Sequence, residues 1–122
     1  MTMRRHRTGT RPRPLACVVV NPSKPWATDA VRRRAATALR NAGYADPVWL
    51  ETTPAEPGSM QARLAIASGA HLVVAAGGDG TVRAVAAGVA HTGVDMAILP
   101  LGTANLAARN LGLPVGRLNA AL

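Results

Sequence analysis

The sequence predicts an α/β fold: a three-layer sandwich in which helices cover both faces of a mostly parallel sheet, in the order β-α-β-α-β-α-β-α. Three observations carry this. The runs Leu15 to Val20 and Leu72 to Ala76 are apolar throughout, as strands covered on both faces should be. The stretches between strand candidates carry apolar residues at helical spacing and stop at glycines such as Gly43 and Gly69. Aromatic residues are scarce (Trp26, Trp49, Tyr44 and no Phe), so the core must be Ala, Val, Leu and Ile, which suits helices packed on a parallel sheet. Parallel strands joined through helices place every strand-to-helix turn on the carboxyl edge of the sheet, where ligands bind in open α/β sheets.

Each element follows from local chemistry. Leu15-Ala16-Cys17-Val18-Val19-Val20 is the first strand, broken by Asn21-Pro22-Ser23-Lys24-Pro25. Thr28 or Asp29 can cap the next helix, which puts Val31, Ala35, Ala38, Leu39 and Ala42 on one face and most of Arg32, Arg33, Arg34 and Arg40 elsewhere. Val48 to Thr52 is a second, less apolar strand, expected nearer an edge, and Thr53 to Gly58 is a Pro-containing loop. Met60, Leu64 and Ala67 recur at helical spacing up to Ser68-Gly69. Leu72 to Ala76 runs into Gly77-Gly78-Asp79-Gly80-Thr81, and Val82, Val85, Ala86 and Val89 then mark a helix. Asp95 to Leu101 is a fourth strand, Gly102-Thr103 turns into a helix through Leu111, and Gly112 and Pro114 stop it.

With 122 residues there is room for one modest domain. The net charge of +8 is uneven: residues 1–14 hold Arg4, Arg5, Arg7, Arg11 and Arg13 and no acid. Their Arg, Thr, Gly and Pro composition cannot bury enough apolar surface to order, so 1–14 reads as a basic disordered tail and 15–122 as the folded domain. Basicity suits an anionic partner such as a nucleotide or an anionic membrane surface, and a solvated face is the plainer reading of Arg32 to Arg34. Nucleic acid is disfavoured, because no stacking aromatic surface accompanies the charge. Cys17 is the sole cysteine, and the N-terminal apolar run is too short for a signal or a span. A cytoplasmic protein is therefore expected, with contact at the inner face of the membrane and a homodimer both left open.

Three candidate site turns lie on the carboxyl edge: Asn21-Pro22-Ser23, Gly77 to Thr81, and Leu101 to Asn105. In the middle one, successive glycines can take positive φ and let an anion approach without Cβ interference, while several N–H groups and a helix start face one point. A carboxylate at Asp79 would repel phosphate, so its useful roles are shaping the loop, accepting from a ribose hydroxyl, or holding a Mg²⁺ that itself holds phosphate. A plain glycine turn capped by Asp79 or Thr81 is the alternative. Arg83 stands where the dinucleotide fingerprint needs its third small residue, and no Gly-Lys-Ser/Thr follows the glycines, so neither that fingerprint nor a P-loop is present. Thr103 can cap the last helix or contact phosphate or ribose. Asn105 is by default a helix-surface residue, and Asn21 a turn residue. His6, His71 and His91 show no metal-ligand spacing, no metal ligand is assigned, and no Ser-His-Asp arrangement is legible.

Taken together, Asn21-Pro22-Ser23, Val74-Ala75-Ala76-Gly77-Gly78-Asp79-Gly80-Thr81-Val82 and Leu99-Pro100-Leu101-Gly102-Thr103-Ala104-Asn105-Leu106-Ala107 through Pro114 closely resemble the diacylglycerol kinase catalytic domain family, which includes sphingosine, ceramide and bacterial lipid kinases. The resemblance covers about residues 15–122. Gly-Gly-Asp-Gly-Thr alone is shared with NAD kinases; the Leu-Gly-Thr-Ala-Asn-Leu-Ala stretch at its interval makes the lipid-kinase likeness more specific. It implies the NAD kinase/diacylglycerol kinase-like N-terminal domain and ATP with Mg²⁺. It also implies nucleotide contacts from Asn21, Pro22, Ser23 and Lys24, from Thr53 (or Thr52), from Gly77, Gly78, Asp79, Gly80 and Thr81, and from Gly102, Thr103 and Asn105, with Asp79 placing phosphates and Mg²⁺ as the catalytic residue. The γ-phosphoryl would go to a diacylglycerol-like or sphingoid hydroxyl.

The chain departs from the family pattern in three places. Arg83-Ala84 replace the usual Asn-Glu, Ser23-Lys24-Pro25 replace x-Ser-Gly in the first loop, and Leu106 stands where Asp is common. Relatives also carry a second, β-rich domain that closes the cleft, binds lipid and supplies the catalytic base. The expectation is that this domain is missing here, so that the chain is a nucleotide-binding lobe inactive by itself. An NAD kinase relative and a non-catalytic nucleotide-binding or regulatory module are the alternative readings.

Overall fold

The computed structural model describes residues 12–99, and the expected last turn and helix, with Gly102, Thr103 and Asn105, lie outside them. The order is β1 (Ala16–Val20), α1 (Asp29–Asn41), β2 (Val48–Glu51), α2 (Ser59–Ala67), β3 (Leu72–Ala76), α3 (Asp79–Val89) and β4 (Asp95–Leu99). The four strands form one sheet in the order β2-β1-β3-β4, and every pairing is parallel. The expected α/β architecture is present, and β2 is an edge strand, as its polarity indicates.

All five residues of β1 and of β3 are buried, because both faces of these central strands are covered. Side chains alternate across the pleat. Val18, Val20, Leu72, Val74 and Ala76 meet Ala35 and Leu39 of α1 on one face. Cys17, Val19, Val73, Ala75 and Met96 meet Ala62 and Ala65 of α2 and Val85 and Val89 of α3 on the other. Burial pushes the Cys17 thiol pKa up, so it serves as a small core residue.

Helix α1 starts as expected. Thr28 is its N-cap, and its hydroxyl accepts from Val31 N–H at 3.2 Å. Gly43, at φ 102°, carries the chain away from its end. Ala42 is the C-cap residue and is exposed rather than in the apolar face. The arginines of α1 are partly spent within the chain. Arg32 donates to Glu51 at 2.9 Å and lies 5.0 Å from the Trp49 ring centroid, and Arg40 bonds Asp46 at 2.6 Å. Arg13 donates to the Tyr44 carbonyl at 3.4 Å, and the Pro14 carbonyl accepts from Ala45 N–H at 3.0 Å.

Helix α2 reverses the face its periodicity suggests. Met60 and Leu64 are 44% and 54% exposed and Ala67 is exposed, while Gln61, Ala62 and Ala65 are buried. The reason is the approach of α3. A Cβ added to Gly88 would lie 2.7 Å from the Ser59 carbonyl oxygen and 2.8 Å from Ala62 Cβ, so the helices meet at a contact that admits only small side chains. The larger Met60 and Leu64 are left outside. No helix among the described residues is long and apolar enough to cross a membrane.

Candidate nucleotide site at the sheet switch point

The chain leaves β1 toward β2 on one side and returns through β3 toward β4 on the other, so the carboxyl ends of β1 and β3 diverge. Such a switch point opens a crevice at a sheet edge. Asn21 N–H donates to the Ala76 carbonyl at 3.1 Å, continuing the ladder one step past both strands. The first loop and the glycine turn therefore start side by side.

The first loop is shaped by Asn21. Its Oδ1 accepts from Ser23 N–H at 3.0 Å and from Ser23 Oγ at 2.7 Å, which makes an Asx turn and leaves Pro22 and Ser23 exposed. Lys24 then folds back over the second turn. Its Nζ lies 3.8 Å from where a Cβ of Gly78 would be. The sequence placed this lysine in a separate turn, and the tertiary structure brings its ammonium to the glycines.

Three glycines in the second turn have three different uses, none of them a left-handed backbone. Among the described glycines, positive φ occurs at Gly43, Gly58, Gly69 and Gly93, not at Gly77, Gly78 or Gly80, which corrects the expectation that conformational freedom explains this turn. At Gly77 a Cβ would fall 2.5 Å from Thr81 Cβ, so the glycine is the seat of the buried Thr81 side chain. Gly78 is the N-cap of α3 with extended backbone, and no side chain caps the helix; neither Asp79 nor Thr81 does so. At Gly80 a Cβ would meet nothing within 4 Å, which leaves open approach to the first turn of α3. The first N–H groups of α3 thus point to the edge without a side-chain cap, in the orientation that suits an anion.

A cleft of about 330 Å³ lies against this turn, lined by Asn21, Pro22, Ser23, Thr52, Thr53, Pro54, Pro57, Gly80 and Thr81. Its third wall is the loop after β2. Thr52 N–H donates to the Val20 carbonyl at 2.9 Å, extending the β1–β2 ladder. Thr53 Oγ1 accepts from Glu56 N–H at 3.0 Å, and the Thr53 N–H donates to the Glu56 carbonyl at 3.0 Å. The Thr53 hydroxyl can still donate. Gly58, at φ 150°, packs on α3, with Ala84 Cβ 3.1 Å from its would-be Cβ.

Of the expected site residues, the cleft brings together Asn21, Pro22, Ser23, Thr53, Gly80 and Thr81. Lys24, Gly77 and Gly78 do not line it: Gly77 seats the Thr81 side chain, and Lys24 approaches Gly78. Asp79 does not line the cleft; it is exposed at the start of α3 beside Gly80. Pro54 and Pro57 line the cleft but are absent from the sequence expectation. Their signal was their place, in a loop that must lie on the carboxyl edge. Among the described residues, no group of three His, Cys, Asp or Glu side chains could hold a metal ion.

Compared with known proteins, residues 15–122 match the family model for the diacylglycerol kinase catalytic domain. A probable lipid kinase YegS-like of Xanthomonas euvesicatoria pv. vesicatoria is 50% identical over 62 residues, 46% of this chain and 20% of that protein. One of Pseudomonas putida is 40% identical over 85 residues, 68% of this chain and 28% of its own length. An uncharacterized protein of Synechocystis sp. is 48% identical over 46 residues, 38% of this chain and 11% of that protein. The chain spans less than a third of the length of each of these relatives.

Proposed function

The chain belongs to the diacylglycerol kinase catalytic domain family, and from that premise we propose that it is the ATP-binding lobe of a lipid kinase. The whole enzyme would pass the γ-phosphoryl of ATP to a lipid hydroxyl of diacylglycerol-like or sphingoid type. One juxtaposition carries this reading: the uncapped start of α3, free of side-chain bulk at Gly78 and Gly80, faces the switch-point cleft with the Lys24 ammonium beside it. N–H donors and one cation converging on a concave edge are what a polyphosphate requires.

In this reading the Asn21–Ser23 turn and the Thr53 hydroxyl take the nucleotide along the cleft, and the α3 N–H groups and Lys24 take the phosphates. Asp79 would hold Mg²⁺, which when bound neutralises charge on the transferring phosphoryl group. Positioning and charge neutralisation supply most of the rate in phosphoryl transfer, and the chain's residues are of that kind. Gly102, Thr103 and Asn105 would complete the site. Peripheral contact with an anionic membrane would rest on Arg33 and the arginines of residues 1–14, since Arg32 and Arg40 are paired within the chain. In this reading the acceptor lipid and the catalytic base belong to the β-rich domain of the whole enzyme, and residues 15–122 supply the nucleotide-binding share of the reaction.

The test is titration with a fluorescent ATP analogue and Mg²⁺. Saturable binding, weakened in Asp79→Ala and blocked in Gly78→Val, is expected. Absence of binding, or affinities indifferent to both substitutions, would count against the assignment.

A further inference from the structure

Gln61 is the one buried polar residue of α2, 7% exposed, and it does not line the cleft. Its Nε2 donates to the Glu51 carbonyl at 3.0 Å and to the Glu56 carbonyl at 2.8 Å. Two carbonyl oxygens at that range require the amide nitrogen there. The same side chain therefore ties the last residue of β2 to the far side of the turn that follows. Its Oε1 is buried with no hydrogen-bond partner. An unpartnered buried acceptor is destabilising, so an apolar residue of equal size would serve the α2 core face better. What glutamine adds is the pair of donors aimed at the loop.

We propose that Gln61 is a positioning residue of the cleft: by stapling Glu51 to Glu56 it sets the loop that presents Thr52, Thr53 and Pro54 to the nucleotide. This rests on the nucleotide-binding reading above. The anchor is firm because α2 is itself seated on α3 at the Ser59–Gly88 contact, and Gly58 packs on Ala84 and Val85. Gln61 thereby holds the loop wall at a set distance from the glycine turn at the head of α3. It touches no ligand; it acts through the Thr53 loop.

The experiment uses the full chain with Gln61→Met, which keeps the volume and removes both donors, and Gln61→Glu. Amide hydrogen exchange is followed at Thr53 and Glu56, with β3 amides as the internal reference. Affinity is measured for a fluorescent ATP analogue and for inorganic tripolyphosphate. For Gln61→Met we expect a melting midpoint within a few degrees of wild type, and loop amides exchanging about tenfold faster with β3 unchanged. We also expect about tenfold weaker ATP-analogue binding with tripolyphosphate unaffected, since Lys24 and the α3 N–H groups are untouched. Gln61→Glu should bind weakly at neutral pH and recover as the carboxyl gains a proton and with it one donor.

Wild-type protection at Thr53 and Glu56 in Gln61→Met would overturn the staple. So would an unchanged ATP-analogue affinity, or an equal loss for tripolyphosphate. A wild-type chain that binds neither probe would overturn the nucleotide reading instead, and the exchange data would still decide whether the staple exists.

Discussion

Thr81 occupies the space that a side chain at Gly77 would need: a Cβ there would lie 2.5 Å from Thr81 Cβ and 2.9 Å from its Cγ2. The contact spans one turn of chain and sets how the backbone passes from β3 into α3. It gives the two outer glycines of the Gly77–Gly80 turn opposite sensitivities. Gly77→Ala should lose about 1–3 kcal/mol through overpacking. Gly80→Ala, in an open helical position, should gain about 0.5–1 kcal/mol. Urea unfolding followed by circular dichroism reads both, and a Gly77→Ala chain as stable as wild type would refute the close contact.

Lys24 reaches the glycine turn from another loop, and its ammonium lies 3.8 Å from where a Cβ of Gly78 would be. Lys24→Met should leave the melting temperature within a few degrees of wild type. It should weaken binding of an ATP analogue about tenfold at low salt, and the difference should shrink as ionic strength rises. Equal affinities of the two proteins at low salt would remove Lys24 from the site.

The α2–α3 contact makes a glycine more important than a leucine. Gly88→Val must push Ser59 and Ala62 away and should cost at least about 2 kcal/mol. Leu64→Ala, on the exposed side of α2, should stay within about 0.5 kcal/mol of wild type. Chemical denaturation of the two variants gives the ranking, and the reverse order would place α2 the other way round.

Cys17 lies under α2 and α3 with its thiol pKa raised by burial. Because the thiolate is the reactive form, labelling by a disulfide reagent should be about a hundredfold slower in the folded chain than in urea. The single cysteine makes this a clean probe of core opening. Fast labelling under native conditions would mean that the sheet face is not closed.

The alternation of strands and helices was legible because each element carries its own period. Leu72 to Ala76 reads as a doubly covered strand without any neighbour in view, and Thr28 or Asp29 reads as a cap from its own side-chain oxygen. The glycine turn was legible for the same reason, as a strand run directly into glycines before a helical pattern. Helix α2 shows where such reading fails. Met60 and Leu64 have the right spacing, but a spacing does not say which side another helix approaches, and Gly88 gives its reason only once Ser59 and Ala62 lie against it.

Local order along the chain, and the residue types able to meet a polyphosphate, were determined by the sequence itself. Strand order, which opens the crevice between β1 and β3, was decided by tertiary structure alone. So was the meeting of Lys24 with Gly78, of Thr81 with Gly77, and of Gln61 with two carbonyls of a loop. The physical reason is common to all of them. Hydrogen-bonding period, capping and backbone freedom act over a few neighbouring residues, whereas steric seats and donor–acceptor pairs between elements exist only after the sheet has chosen its neighbours.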